Sequence, residues 1–260
     1  MATASNPASG GSRLVQKLAR QPHIALGLAV LSILALIISG LGHQWGWWHF
    51  RSGFTIMRYA AYGGIAAAIL ALIGGVLTRP GSGRRGFPLA VIALVVGGIT
   101  FGYPYYQLRI VYSVPFIHDI TTDTINPPQF VDVVPLRAGV ENPPQYDGAE
   151  VAQQQLEAYP DLGAVRFDEP PDQVFLAAHD AAQSMGWEMV AASAEEGRIE
   201  ATDTTLWYGF KDDVVIRVAE EADGTIVDVR SKSRVGRSDL GVNAKRIRAY
   251  IAELQSRMGK

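Results

Sequence analysis

The amino-acid sequence predicts three transmembrane α-helices followed by an α+β soluble domain, in which an antiparallel sheet of about four strands carries two helices on one face. Three observations lead to this prediction. Apolar runs of membrane-spanning length fill the first part of the chain. All 25 acidic residues lie at or beyond Asp119. The last part of the chain has the pattern of a helix, several short strands and a second helix.

Three apolar segments are long enough to cross a bilayer, namely Ile24–Gly42, Ala60–Leu77 and Phe87–Tyr103. About 20 helical residues cross a hydrocarbon core about 30 Å thick. Because backbone groups inside lipid must satisfy their own hydrogen bonds, each segment should be helical. The first segment is long for a signal peptide and no A-x-A cleavage pattern follows it, which favours an uncleaved span.

Basic residues flank the spans unevenly and predict the orientation. They precede the first span and separate the second from the third, so both segments should be cytoplasmic. Aromatic clusters at 45–50 and 103–112 are typical of headgroup contact on the other side. We therefore expect a multi-pass membrane protein with a cytoplasmic N-terminus and a C-terminal domain outside the cytoplasm, in the periplasm if the organism has one. The flanking basic residues are Arg13, Lys17, Arg20, Arg79, Arg84 and Arg85.

The charge pattern indicates two environments. Residues 1–103 carry 8 of the 23 Lys and Arg, which leaves 15 basic groups against 25 acidic ones in the remainder. The net charge of −2 is thus the sum of a basic membrane part and an acidic soluble part. This balance does not favour nucleic acid as a partner, and the absence of cysteine excludes disulfides and thiolate chemistry.

Four segments are expected along the chain. They are a cytoplasmic N-terminal tail (1–23), a three-helix membrane domain (24–103), an extended Pro-rich segment packed on the soluble domain (104–169) and the α+β core (170–260). Within the core we expect a helix capped by Asp172 and ending near Met185, and a last helix capped by Ser238 or Asp239. The predicted strands are Trp187–Ala192, Arg198–Thr202, Val214–Ala219 and Thr225–Val235.

The last strand alternates between two kinds of side chain. Valines and serines share one face, whereas Asp228, Arg230, Lys232 and Arg234 share the other. The following residues lead into a helix N-terminus, where free backbone N–H groups favour an anion. One hypothesis is therefore an anion- or partner-binding site built from Arg230, Lys232, Arg234, Arg237, Ser238 and Asn243.

The alternative hypothesis is a solvated face whose cations pair with acids across the strands. Its acidic partners would be Asp212, Asp213, Asp228 and Glu200, and Arg217 is a further possible polar partner. Asp212 and Asp213 could also serve an enzyme of unrecognised type, acting with Arg230 on an anionic substrate. No nucleophile elbow, phosphate-binding loop or metalloprotease helix motif is present in the sequence, so we favour a non-enzymatic role and expect no cofactor.

Two weaker patterns complete the set. His118, Asp119 and Asp123 form a small polar cluster beyond the third span, but their loose spacing makes them weak metal ligands and we predict no metal. Gly98 and Gly102 form a G-x-x-x-G step in that span. Such small faces permit close helix packing, within one chain or between copies as a homo-oligomer.

Five segments resemble a known family. They are Ile117–Phe130 (IHDITTDTINPPQF), Met185–Glu188 (MGWE), Gly197–Thr205 (GRIEATDTT), Gly209–Val218 (GFKDDVVIRV) and Val227–Arg248 (VDVRSKSRVGRSDLGVNAKRIR). They are similar to the domain of unknown function numbered 1499, over roughly residues 110–258. The resemblance implies a domain joined to apolar N-terminal segments and a bacterial-envelope setting. The expected location is therefore the bacterial inner (plasma) membrane, with the C-terminal domain in the periplasm. It implies no reaction and no catalytic residue.

The sequence thus leads to a membrane-anchored protein whose domain binds an anionic ligand or a membrane or periplasmic protein through a basic face, or assists envelope assembly. The lipid bilayer is the other expected partner. The alternative is the enzyme of unrecognised type acting on an anionic substrate at the charged face of the sheet.

Overall fold

The computed structural model describes residues 20–259 and divides between Arg109 and Ile110 into two compact units. Most of the tail expected at 1–23, with Arg13 and Lys17, lies outside the described residues.

The first unit consists of helices α1 (Gln21–Gln44), α2 (Phe50–Leu77) and α3 (Phe87–Val111). All three are long and apolar enough to cross a membrane, which confirms the three predicted helices. The third helix continues beyond Tyr103, through Pro104 and a more polar turn. The predicted end at Tyr103 follows the end of the apolar stretch, whereas the helix itself continues as long as its backbone hydrogen bonds do, to Val111.

Close packing of α2 and α3 depends on two glycines. A Cβ atom on Gly64 would lie 2.8 Å from the carbonyl oxygen of Gly97, and one on Gly97 would lie 2.7 Å from that of Gly64. The two backbones therefore touch where neither residue has a side chain. Gly98 and Gly102 are placed differently, because an added Cβ on either meets no described atom within 4 Å. Self-association through their face stays a prediction.

The second unit is an α+β domain with a six-stranded antiparallel sheet, which confirms the predicted class. The strand order is β1-β6-β5-β4-β3, and β2 also pairs with β6. The strands are β1 (Asp119–Thr121), β2 (Val165–Phe167), β3 (Glu188–Ser193), β4 (Arg198–Thr204), β5 (Lys211–Glu221) and β6 (Gly224–Ser233). The helices are α4 (Ala149–Ala158), α5 (Pro171–Ser184) and α6 (Val242–Arg257), with a 3-10 turn at Pro135–Arg137.

The sheet has six strands where about four were predicted. The additional strands, β1 and β2, have three residues each and lie within the segment expected to be extended. Both pair only with β6. So short a strand leaves almost no alternation to detect, and its existence depends on β6 offering a free edge. Helix α4 lies beside β1, where the buried Gln155 amide accepts from Thr121 N (2.9 Å) and donates to Thr121 O (2.6 Å).

The apolar core lies between the sheet and the helices α5 and α6. The alternating Val214, Ile216, Val227 and Val229 face it and are almost fully buried. Tyr250 of α6 is also fully buried, and its hydroxyl donates to the carbonyl oxygen of Ala178 in α5 (3.0 Å). One face of the sheet is thus apolar and covered by helices, as the strand alternation predicts.

Helix α6 begins later than predicted. Its N-cap is Gly241, at φ 76°, and Leu240 before it is also left-handed at φ 57°. The prediction placed the cap at Ser238 or Asp239. The Asp239 carboxylate still acts on this end, because it accepts from Gly241 N (2.8 Å) and Asn243 N (2.7 Å) across the turn. The sequence pattern identifies the capping side chain but not the extra turn between it and the helix.

Candidate functional site

The charged face of the sheet is covered by the chain itself. Residues 122–147, here called the cover segment, cross this face, and the side chains of Arg230, Lys232 and Asp213 beneath it are fully buried. The sequence alternation predicts which residues share this face. The cover segment determines that the face is an internal interface of the domain.

Glu200 of β4 fixes the middle of the cover segment. Its buried carboxylate accepts from the backbone N–H groups of Val131 (2.8 Å), Asp132 (3.2 Å) and Val133 (2.8 Å). Arg198 pairs with the same carboxylate and with Asp132 (2.6 Å). Charge-assisted bonds of this kind are stronger than bonds between neutral groups, so they hold an irregular segment on a sheet without a helix or strand.

Arg230 lies at the centre of the buried network. Its guanidinium donates two bonds of 2.9 Å to the carboxylate of Asp119 and further bonds to the carbonyl oxygens of Pro128 (3.1 Å) and Pro144 (3.0 Å). The ring of Phe130 covers it at 4.7 Å, and a tyrosine ring lies at 5.4 Å. A planar guanidinium with a bidentate carboxylate, two carbonyls and aromatic rings is fully satisfied inside the domain.

Lys232 extends the same network toward the surface. Its ammonium lies 3.2 Å from Asp119, 2.6 Å from Asp147 and 2.6 Å from the carbonyl oxygen of Gln145. His118 Nε2 lies 3.1 Å from the other oxygen of Asp147. Burial lowers the pKa of His118; Asp147 opposes this shift, Lys232 adds to it, and the net direction is down.

Tyr146 lies beside this cluster. Burial, reinforced by the charge of Asp119, raises the pKa of its phenol to about 12. Among the described residues its buried hydroxyl has no hydrogen-bond partner. The phenol is therefore neutral, and its ring packs against the guanidinium of Arg230 at the side of the network.

Asp213 organises the second half of the charged face. Its carboxylate accepts from Arg137 of the cover segment (2.6 Å), from Arg234 (2.7 and 2.9 Å) and from the hydroxyl of Thr202 (2.7 Å). Arg137 also donates to the carbonyl oxygens of Lys232 (3.2 Å) and its neighbour in β6. Burial lowers the pKa of Arg137, and Asp213 opposes that shift. The cover segment is thus held by a carboxylate and carbonyls that β5 and β6 supply.

Asp212 points to the other face of the sheet. It pairs with Arg246 of α6 (2.7 Å), which also pairs with Asp203 (2.8 Å). Asn243 lies in the same cluster, where it accepts from the hydroxyl of Ser231 (2.7 Å) and from Arg246. Adjacent residues of a strand point to opposite faces, so Asp212 and Asp213 do not form a carboxylate pair, and neither lies beside Arg230 in an ion pair. The arrangement proposed for an enzyme is not assembled.

The remaining predicted polar partners, Arg217 of β5 and Asp228 of β6, meet near the start of the cover segment. Arg217 pairs with Asp228 (2.7 Å) and Asp123 (2.9 Å) and donates to the carbonyl oxygen of Asn126 (2.9 Å). Burial alone would raise the pKa of Asp123, but the backbone N–H groups of Asn126 and Ile125 and the Arg217 guanidinium outweigh it and lower that pKa. A surface depression of about 280 Å³ opens here, lined by 122–125 and by residues of β2 and β6.

The weak metal candidates do not converge. His118 faces Asp147, Asp119 holds Arg230 and Lys232, and Asp123 holds Arg217. Within residues 20–259, no group of three or more His, Asp or Glu side chains is arranged to hold a metal ion.

Arg237 differs from the other predicted cations. It is exposed, and no acidic side chain of residues 20–259 pairs with it. Its guanidinium lies over the ring of Phe116, 5.5 Å from the centroid. Ser238 follows it in the loop and accepts from Leu240 N (3.3 Å). Of the six residues predicted to bind an anion, this cation alone has its charge directed to the solvent without a carboxylate partner in the described chain.

Sequence reasoning identified only some of the residues that neutralise the charged face. It named Glu200 as a cross-strand partner and Asp119 as a weak metal ligand, but it did not identify Arg137 and Asp147, which belong to the cover segment. One signal was available: the 104–169 segment is too rich in apolar residues for a free linker. That pattern shows that the segment packs somewhere, but not that its charges match those of β6.

The fold and its charges define a class: an α+β domain with a buried ionic layer, preceded by three helices that could cross a membrane. The chain belongs to the family described as Protein of unknown function (DUF1499), whose model matches residues 119–254. Among solved structures, it is similar to CalU16 from Micromonospora echinospora, at 18% identity and a TM-score of 0.23, over 36% of this chain and 80% of that chain. No curated protein matches the sequence.

Proposed function

We propose that this protein is a multi-pass protein of the bacterial inner membrane and that it holds a non-enzymatic binding or assembly module in the periplasm. The module would meet an anionic group at the corner formed by Arg237 and Ser238. The single observation that carries this proposal is the contrast among the cations: Arg230, Lys232 and Arg234 are held by carboxylates of their own domain, whereas Arg237 is exposed and unpaired among the described residues.

The buried network supports a binding rather than a catalytic role. A catalytic acid, base or nucleophile must reach a substrate, whereas Asp119 and Asp213 are fully buried and saturated by arginine and lysine. Such a network fixes the cover segment and gives the domain one defined shape. A rigid support of this kind suits a module that presents a surface to a partner.

The proposed orientation is supported by the basic residues on either side of the first two spans. Its test exploits the absence of cysteine. Ser82→Cys lies in the exposed loop between α2 and α3, and Asp223→Cys lies in the exposed turn between β5 and β6. In intact cells, a membrane-impermeant maleimide should label the second variant and spare the first until the cells are lysed. Labelling of Ser82→Cys alone would overturn the orientation.

The proposed anion site is tested with inorganic phosphate on the full chain in detergent. Broadening of the phosphorus NMR line should be strong for the wild type and lost in Arg237→Gln. Arg166→Gln is the matched control, because Arg166 is as exposed but pairs with Glu221 (2.7 Å). Equal broadening in the two variants would contradict the assignment of Arg237.

A further inference from the structure

One end of the sheet receives the chain from the last apolar helix. Because all neighbouring strands are antiparallel, β1 and β5 begin where β4 and β6 end. Val111 ends α3 and Asp119 begins β1, so the seven residues 112–118 join that helix to this end, here called the entry end. The loops that share the entry end are 205–210 and 234–241.

The loop between β4 and β5 presents an apolar side chain on a rigid aromatic base. Leu206 is 92% exposed. Behind it, Trp207 packs edge-on against Tyr208 at 5.0 Å, and Tyr208 stacks on Phe210 at 5.2 Å. The loop is closed by hydrogen bonds between Thr205 and Phe210, Thr205 N to the carbonyl oxygen and Phe210 N to the Thr205 hydroxyl, both 2.8 Å. The leucine is therefore held outward by a structured loop.

A second apolar side chain and a cation lie at the same end. Phe116 is 53% exposed and supports the unpaired guanidinium of Arg237. Backbone bonds tie this loop to the chain entry, from Asp239 N to the carbonyl oxygen of Ile117 (3.1 Å), and to the first residue of β5, from Arg234 N to the carbonyl oxygen of Lys211 (2.9 Å). Apolar side chains beside an arginine are typical of surfaces that meet lipid headgroups.

The length of the connecting chain limits where this surface can go. Four residues lie between Val111 and Phe116, and the five residue steps that join them span at most about 18 Å when extended. If α3 crosses the bilayer, this tether keeps Phe116 within about 18 Å of the end of that helix, which allows the entry end to meet the leaflet from which the chain emerges. Scattered exposed apolar residues are ordinary on a protein surface. Here they coincide with the chain entry and with the unpaired cation.

We infer that the entry end is a membrane-contact surface, in which Leu206 and Phe116 enter the boundary between headgroups and acyl chains and Arg237 binds a lipid phosphate. This inference rests on the proposed function, since it requires α3 to span the membrane, and deepens it by naming the anion as a phospholipid headgroup. The partner is the leaflet from which the chain emerges.

The test uses the full chain in nanodiscs of phosphatidylglycerol and phosphatidylethanolamine that contain a quencher on the acyl chain. Leu206→Cys carries an environment-sensitive dye. The matched control is Ile125→Cys, which is 86% exposed and lies beyond the other end of β1. Both native side chains are exposed, so neither substitution disturbs the core. We expect several-fold stronger quenching at 206 than at 125, and excess inorganic phosphate should lower the quenching at 206 no further than Arg237→Gln does.

A second arm tests the cation. Arg237→Gln in the Leu206→Cys background should reduce the quenching at least twofold, whereas Arg166→Gln in the same background should leave it unchanged. Equal quenching at 206 and 125 overturns the inference. If phosphate broadening by Arg237 and periplasmic labelling of Asp223→Cys persist alongside that result, the proposed function stands and only the lipid contact fails. If inorganic phosphate abolishes the difference in quenching between 206 and 125, the lipid assignment is overturned in favour of a free anion.

Discussion

Asp119→Asn is the sharpest test of the buried network, because the substitution removes a charge while it preserves the shape of the side chain. In the folded domain the Asp119 carboxylate accepts hydrogen bonds from Nε and Nη2 of Arg230, both at 2.9 Å, and lies 3.2 Å from the Lys232 ammonium. Loss of one partner from a buried ion pair costs about 3–5 kcal/mol, since it leaves an uncompensated charge. Lys232 retains Asp147, but Arg230 keeps only two carbonyl oxygens and its aromatic neighbours.

Hydrogen exchange followed by mass spectrometry on the full chain in detergent measures this loss. Amides of β6 report the opening of the domain without unfolding of the apolar helices. A loss of about 3–5 kcal/mol corresponds to exchange that is about 100- to 4000-fold faster. Arg166→Gln breaks an ion pair that is exposed on both sides and should leave the β6 amides unchanged.

Two results would refute this reasoning. The first is exchange in Asp119→Asn within about threefold of the wild type, which would mean that the ion pair is not a structural element. The second concerns Asp119→Leu combined with Arg230→Met, in which both charges leave together. Because paired removal also removes the desolvation cost, the double variant should be less damaged than the sum of its single variants. A double variant that loses at least that sum would show that the two side chains act independently.

Three further outcomes are expected. Gln155→Met should lower the free energy of unfolding, measured by denaturant titration, by about 1–3 kcal/mol, because it leaves both backbone groups of Thr121 unsatisfied at the sheet edge. Gln155→Glu should not restore the lost stability. Gly197→Ala should lower the free energy of unfolding by about 1–3 kcal/mol more than Gly139→Ala does. Both glycines have a positive φ, but a Cβ atom at Gly197 would lie 2.0 Å from a carbonyl oxygen of β5. Equal melting temperatures for the two variants would contradict this. Burial raises the pKa of Asp239 from 3.8 to about 6. The folded state thus retains a proton that the unfolded chain releases, so the unfolding free energy contributed by Asp239 falls as the pH rises from about 4 to about 6. The unfolding free energy of Asp239→Asn should therefore rise relative to that of the wild type as the pH increases over this range. If urea titrations give the two proteins parallel profiles of unfolding free energy against pH, the assignment is wrong.

Local pattern was sufficient for the four long strands and the two helices of the core. In β6 the alternation of valine and serine with charged residues predicts both faces, and the structure places Val227 and Arg230 on opposite sides. The same reasoning could not find β1 and β2, whose three residues carry too little periodicity. It also could not find the cap of α6 at Gly241, because the preceding turn depends on Asp239 reaching across it.

The candidate site shows a similar division. Sequence spacing collected Arg230, Lys232 and Arg234 on one strand face, but it could not show that Asp119 and Asp213 already neutralise them. These pairings join residues about 20 to 110 positions apart. Only the folded chain brings such positions together. Arg237 belongs to the same sequence motif, and its exposure distinguishes it only once the loop conformation is known.

The sequence by itself determined the three apolar helices, the α+β class and the identity of the charged strand face, because hydrophobic length and side-chain alternation are local properties of a chain. The tertiary structure decided what that face is for. The cover segment crosses it and matches its cations with carboxylates, so a surface that resembled an open anion site is an internal ionic layer. Burying a charge is favourable only when its partners are fixed in three dimensions, and no local pattern records where those partners will be.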